Sequence, residues 1–150
     1  MRHFVLKSVL LVCFISALTL SSAADSRAED GVIGSELAFE QMQAGGLTVI
    51  DIRRPEEWLE TGIPQGGHAI TMHDPAGQEA FLANVLSALD GDRTAPVGLI
   101  CASGVRSTWA SGYLARNGFT NVYNIREGML GRGRQLGWIA HGLPVESYSE

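Results

Sequence analysis

Val97-Gly-Leu-Ile-Cys-Ala-Ser-Gly-Val-Arg-Ser-Thr-Trp-Ala-Ser-Gly-Tyr-Leu-Ala-Arg-Asn117 is the stretch on which the reading of this chain turns. Val97, Leu99 and Ile100 form a short apolar run that stops at Cys101. Four small or short residues follow, Ala102, Ser103, Gly104 and Val105, and then Arg106 and Ser107 open a segment with helical periodicity. Val105, Trp109 and Tyr113, with Ala110 and Leu114 beside them, are expected to share its apolar face. Gly118 supplies a C-terminal stop. The expected unit is a buried strand, a tight loop and a helix start, with a thiol at the base of the loop.

The first N–H groups of a helix lack intrahelical partners and lie at the positive end of its dipole, so they form a cradle for anions. A thiol in such a cradle is stabilised as thiolate, its nucleophilic form. Arg106 adds a permanent positive charge suited to gripping an anion. A cysteine at a strand end is more commonly a buried, inert side chain. The glycine-bearing turn and the following arginine tip the balance towards a nucleophile.

At these residues the chain resembles the rhodanese-like family. The family's loop runs from a cysteine to an arginine or similar residue with glycine in fourth place, and Cys-Ala-Ser-Gly-Val-Arg matches it position by position. Four residues separate Cys101 from Arg106, where the related cysteine phosphatases carry five. The narrower loop goes, in the family, with handling sulfur rather than phosphate. The resemblance implies that Cys101 is the catalytic nucleophile. It implies too that Ala102, Ser103, Gly104, Val105 and Arg106 bind the substrate.

Upstream, Leu47–Arg53 reads as a buried parallel strand, continuous in apolar and β-branched residues. Pro55 then starts a short helix. Asp-Ile-Arg-Arg-Pro-Glu-Glu-Trp58 matches the family's aspartate-x-arginine signature and glutamate-aromatic pair. Asp51 and Arg53 are expected to form an ion pair or a loop clamp that shapes the floor of the site. Thr61–Ile70 matches a family glycine-histidine segment only loosely. The histidine expected after Gly62 is missing, and His68 is assigned no role.

Elsewhere, Glu36–Ala44 reads as a helix capped by Ser35 and stopped by Gly45-Gly46. Ala69–Met72 reads as a short strand, and Ala76–Asp90 as an amphipathic helix carrying Phe81, Leu82, Val85, Leu86 and Leu89. Val122–Ile125 is expected as a strand, and a last helix spans Leu136 to Ala140. The closing Gly-Leu-Pro-Val145 also resembles the family's end, while Glu127 stands where glycine is common. The alternation of strands and helices gives an α/β fold. With the resemblance, this becomes a rhodanese-like three-layer sandwich: a mainly parallel central sheet flanked by helices. Cys101 falls at the carboxyl end of a strand, where such sheets take ligands.

The 150 residues, 45% of them hydrophobic, suffice for one domain with a real core. Residues 1–24 have the layout of a secretory signal peptide. Arg2 and Lys7 precede an apolar run, and Ser22-Ala23-Ala24 offers a cleavage site. A flexible segment 25–34 and a domain over 35–147 are expected to follow. Cleavage takes the basic count from 11 to 9 against 16 acidic residues, a net charge of −7. So acidic a chain is a poor nucleic-acid binder. Stable membrane association is not expected after cleavage. Export, with a bacterial periplasm as the expected compartment, leaves Cys101 as the lone cysteine, a hazard in oxidising surroundings unless it is buried or used.

Other chemistries find no support in the sequence. His68, His73 and His141 lack metal-ligand spacing, and one cysteine cannot build a zinc cluster. No C-x-x-C pair is present, and no phosphate loop. No metal or cofactor is expected. The resemblance implies sulfur transfer from thiosulfate or a persulfide to a thiophilic acceptor (cyanide, a thiol or a protein) through a Cys101 persulfide. With no basic side chain between Cys101 and Arg106, it also implies that thiosulfate is a poorer donor than a persulfide or a protein partner. Two readings stay open beside it: a non-catalytic sulfur carrier or interaction module, and a phosphatase or arsenate reductase of related fold.

Overall fold

The computed structural model describes residues 31–149; the expected signal peptide, residues 1–24, lies outside them. The elements in chain order are β1 (Val32–Ile33), α1 (Ser35–Gln43), β2 (Thr48–Asp51), α2 (Pro55–Thr61), β3 (Ile63–Pro64), β4 (His68–Ala69), α3 (Gln78–Ala88), β5 (Val97–Ile100), α4 (Val105–Arg116), β6 (Val122–Ile125) and β7 (Val145–Glu146). Five strands make the central sheet in the order β1-β6-β5-β2-β4, every pairing parallel. A separate antiparallel ribbon pairs β3 with β7. No helix among the described residues is long and apolar enough to cross a membrane.

β5 lies between β6 and β2 at the centre of the sheet, and its four residues are all buried. That burial on both faces is why Val97–Ile100 reads as an unbroken apolar run rather than an alternation. Side chains still alternate between two cores. Ile50, Ile52, Val97, Leu99 and Cys101 pack with Phe81, Val85 and Leu89 of the α3 region and with Ala110 and Leu114 of α4. Val49, Ile100 and Ile125 pack on the other face with Ala38, Met129 and Trp138. The sheet is therefore the middle of three layers, and the domain has the expected α/β architecture.

Several local expectations need correction. Val32 and Ile33, placed in a flexible segment, form β1 against β6, in register with Asn124 and Ile125. Ser35 is not the cap of α1: Gly34 holds that position, and the Ser35 N–H donates to the Glu127 carboxylate at 2.8 Å. The edge strand β4 covers only His68–Ala69; Ile70 and Met72 continue beside β2 by single backbone bonds to Asp51 and Ile52.

No helix forms over Leu136–Ala140. Trp138 N–H donates to Gly128 O and Ile139 N–H to Met129 O, so these amides serve the turn after β6 rather than a helix. Trp138 is fully buried, edge-on to Phe39 at 5.9 Å, and its indole donates to Pro144 O at 3.0 Å. Burial of a tryptophan with its N–H satisfied holds the segment in this irregular path.

Candidate active site

Cys101 directly follows β5, and its side chain joins the core shared with α3 and α4. It is 1% exposed, so the thiol sits beneath the loop rather than at its rim. Gly104 caps α4 in the left-handed region, φ +81°, and a Cβ there would overlap the Arg126 carbonyl oxygen. Only glycine meets both conditions without moving the chain. Gly128 answers from the facing turn at φ +68°. Its missing Cβ makes room for the Ala102 carbonyl and the Ser103 amide, 2.5 and 2.6 Å from where that atom would lie.

The loop's carbonyls are tied down on the outside. Cys101 O accepts from Met129 N–H at 2.8 Å, and Ala102 O from Leu130 N–H at 2.9 Å. Gly104 O accepts from the Thr108 N–H and, at 2.7 Å, from the Thr108 hydroxyl, which Asn124 Nδ2 braces in turn at 2.8 Å. In a trans peptide the N–H points away from the carbonyl of the same unit. The amides of Ala102, Ser103 and Val105 therefore face away from those anchors, into the loop. Among the described residues, the N–H groups of Ala102 through Ser107 have no acceptor. These are the unpaired donors expected at a helix start, and they are available to an anion.

Ser107 is a site residue the sequence reading missed. It is fully buried in the first turn of α4, with Oγ 3.4 Å from Cys101 Sγ. The hydroxyl can donate to a thiolate or to the inner sulfur of a persulfide. Its signal in the sequence was the position directly after Arg106, inside the turn already singled out.

Arg106 does not stand open to solvent as a free anion grip. Its guanidinium pairs with both oxygens of Glu57, at 2.7 and 2.6 Å. That partner holds the Glu57 carboxyl down to about 2, while Glu57 raises Arg106 above its usual value. Glu57 also accepts from the Arg54 N–H at 3.0 Å, which fixes it in the first turn of α2. The folded-state value lies below the ordinary 4.5, so the clamp contributes fully above that pH and is lost as pH falls towards 2. Melting temperature is expected to drop across that interval, less steeply in Glu57→Gln, in a thermal scan at each pH.

Asp51 and Arg53 form the expected ion pair, fully buried, through three side-chain contacts of 2.7 to 3.0 Å. Burial raises the Asp51 carboxyl above its ordinary range, opposed by the hydrogen bonds and charge of Arg53. Arg53 also reaches Thr61 Oγ1 at 2.9 Å, Gly62 O at 2.7 Å and Glu57 O at 3.3 Å. It thus clamps α2 to the end of β2, and α2 presents Glu57 to Arg106. The pair acts on the loop through that helix. Glu127 turns away to Ser35 and to His141, whose Nε2 is 3.6 Å from it.

The outer face of α4 differs from expectation. Ser107, Ala110 and Leu114 face the core, whereas Val105 is 57% and Trp109 41% exposed. Trp109 lies flat on Tyr113, rings 5.2 Å apart. Val105 and Trp109 thus form an apolar brim beside the cysteine loop.

The family model described as "Rhodanese-like domain" matches residues 36–131. An uncharacterised protein of Rickettsia rickettsii is 29% identical over 129 residues, 85% of this chain and 98% of that one. The thiosulfate sulfurtransferase GlpE of Pseudomonas entomophila is 33% identical over 102 residues, 67% of this chain and 84% of that one. The crystal structure of Rv0390 from M. tuberculosis superposes with a TM-score of 0.61 at 28% identity, covering 79% of this chain and 98% of that one. The loop at Cys101, the parallel sheet beneath it and these matches agree: the chain belongs to the rhodanese-like domain family.

Proposed function

We propose that the protein is a sulfurtransferase that carries sulfur as a persulfide on Cys101. The Cys101 thiolate attacks the sulfane sulfur of a donor. The donor's S–S bond breaks, and sulfite leaves from thiosulfate or a thiolate from a persulfide. The outer sulfur of the resulting persulfide is then taken by a thiophilic acceptor, which returns the thiolate. The observation that carries this reading is the set of unaccepted N–H groups around a buried sulfur, with the Ser107 hydroxyl 3.4 Å from it. Fixed dipoles of that kind stabilise negative charge on sulfur at no cost in reorganisation. The sulfurtransferase relatives supply the class of reaction. Four residues separate Cys101 from Arg106, the loop length that goes, in the rhodanese-like family, with sulfur rather than phosphate.

We propose in addition that the protein is exported, on the signal-peptide layout of residues 1–24. One experiment tests both parts. The full chain is expressed in a bacterium, recovered from the periplasm, treated with thiosulfate or an alkyl persulfide, and its intact mass measured. The expected species begins at Asp25 and gains one sulfur on Cys101. A chain that gains none from either donor would overturn the activity, and one retained in the cytoplasm would overturn the export.

A further inference from the structure

We propose that Glu57 sets the donor class of this site, selecting singly charged organic persulfides over small dianions such as thiosulfate. The inference rests on the sulfurtransferase reading and names its substrate. The cysteine loop carries one charged side chain, Arg106, and Glu57 holds both of its terminal nitrogens, at 2.7 and 2.6 Å. Ala102, Ser103, Gly104 and Val105 contribute none. The buried arginine near the loop, Arg53, is matched by Asp51 in the same way. Arg54 and Arg126 are exposed, where water and salt screen them. An anion entering the loop therefore meets backbone dipoles with almost no net side-chain charge behind them.

Dipoles of this kind suffice for one negative charge. A compact dianion brings a second charge out of water, and its natural partner is already engaged. The brim favours the other class of donor. Val105 and Trp109 present exposed apolar surface beside the loop, which the organic group of a persulfide can cover and thiosulfate cannot. Loading is then Cys101–S⁻ + R–S–S⁻ → Cys101–S–S⁻ + R–S⁻. The donor S–S bond breaks as the new one forms, and no external oxidant or reductant takes part.

The test follows sulfur loading of Cys101 by intact mass, with ethyl hydropersulfide and with thiosulfate, at low ionic strength. In Glu57→Gln the guanidinium is released and the site gains one positive charge. The rate constant for thiosulfate is expected to rise about tenfold and that for the persulfide about threefold, since the electrostatic gain scales with donor charge. The difference is expected to shrink at about 0.5 M salt, where the screening length is only a few ångströms. Arg106→Gln should move thiosulfate in the opposite direction. Glu57→Gln/Arg106→Gln, neutral again, should restore the wild-type ratio between donors.

A folded Glu57→Gln protein whose two donors change by the same factor overturns the proposal. Should that variant not fold, the ratio in Arg106→Gln against the double variant decides in its place. Failure of the wild type to load from either donor is a separate result: it removes the sulfurtransferase reading itself, and the donor preference with it.

Discussion

Cys101→Ser is expected to yield a folded protein that takes up no sulfur, with loading and turnover reduced at least a thousandfold, to background. Oxygen replaces sulfur at a site packed among Ile52, Leu99 and Ala110, and the smaller atom leaves little cavity. The folding cost should stay within about 1 kcal/mol, near the value for a lost methylene. The chemistry does not survive the exchange. An alcohol ionises far less readily than a thiol, and it cannot form the S–S bond that stores the transferred atom. Intact mass after donor treatment and thermal melting of the same sample measure the two effects. The variant also separates the sulfurtransferase from an interaction module built on the same loop. Unchanged biological activity of the serine variant would mean that the loop holds a partner rather than a sulfur.

What the sequence made legible followed from short-range order. β5 announced itself because a strand buried on both faces has no polar residues to interrupt it. Asp51 and Arg53 could be paired in advance because opposite charges two positions apart close an otherwise apolar run. The left-handed cap at Gly104 was visible as a glycine between a strand and a helix. Each inference needed only neighbouring residues.

The unread features depend on distance or on a choice between equivalent patterns. Glu57 and Arg106 are 49 positions apart, and nothing local in either segment points to the other. In α4, two stripes have nearly equal helical spacing: Val105, Trp109 and Tyr113, and Ser107, Ala110 and Leu114. Steps of four residues overshoot a full turn by about 40°, so both look periodic, and Ala110 and Leu114 read as the margin of the outer stripe. The buried stripe is the small one because α4 packs close to the sheet, and the aromatic rings stack on each other outside. Leu136–Ala140 reads as a helix because its hydrogen bonds to residues 128 and 129, in the turn after β6, leave no trace in composition. That turn holds the outside of the cysteine loop, so the part of the site hardest to read was its support.

The support gives the second large effect. Asp51→Ala is expected to destabilise the domain by about 3–5 kcal/mol, because it strands a buried guanidinium without its counter-charge. Arg53 is 1% exposed and cannot swing out to water without releasing Thr61, Gly62 and Glu57. A loss of that size takes a large share of a typical domain's stability and lowers its melting temperature by roughly 10 °C or more. Asp51→Ala/Arg53→Met should recover most of the loss, since it removes the unpaired charge and returns apolar volume to the site. The two variants then part company in function. α2 would regain a packed floor in the double variant but not the bonds from Arg53 to Glu57 O and Thr61 Oγ1, so Glu57 would hold Arg106 less tightly. Thiosulfate loading should accordingly rise relative to persulfide loading even where stability is restored. An Asp51→Ala protein that melts within about 2 °C of wild type would show that the pair is not the anchor of α2, and the link from the floor of the site to its charge balance would fail with it.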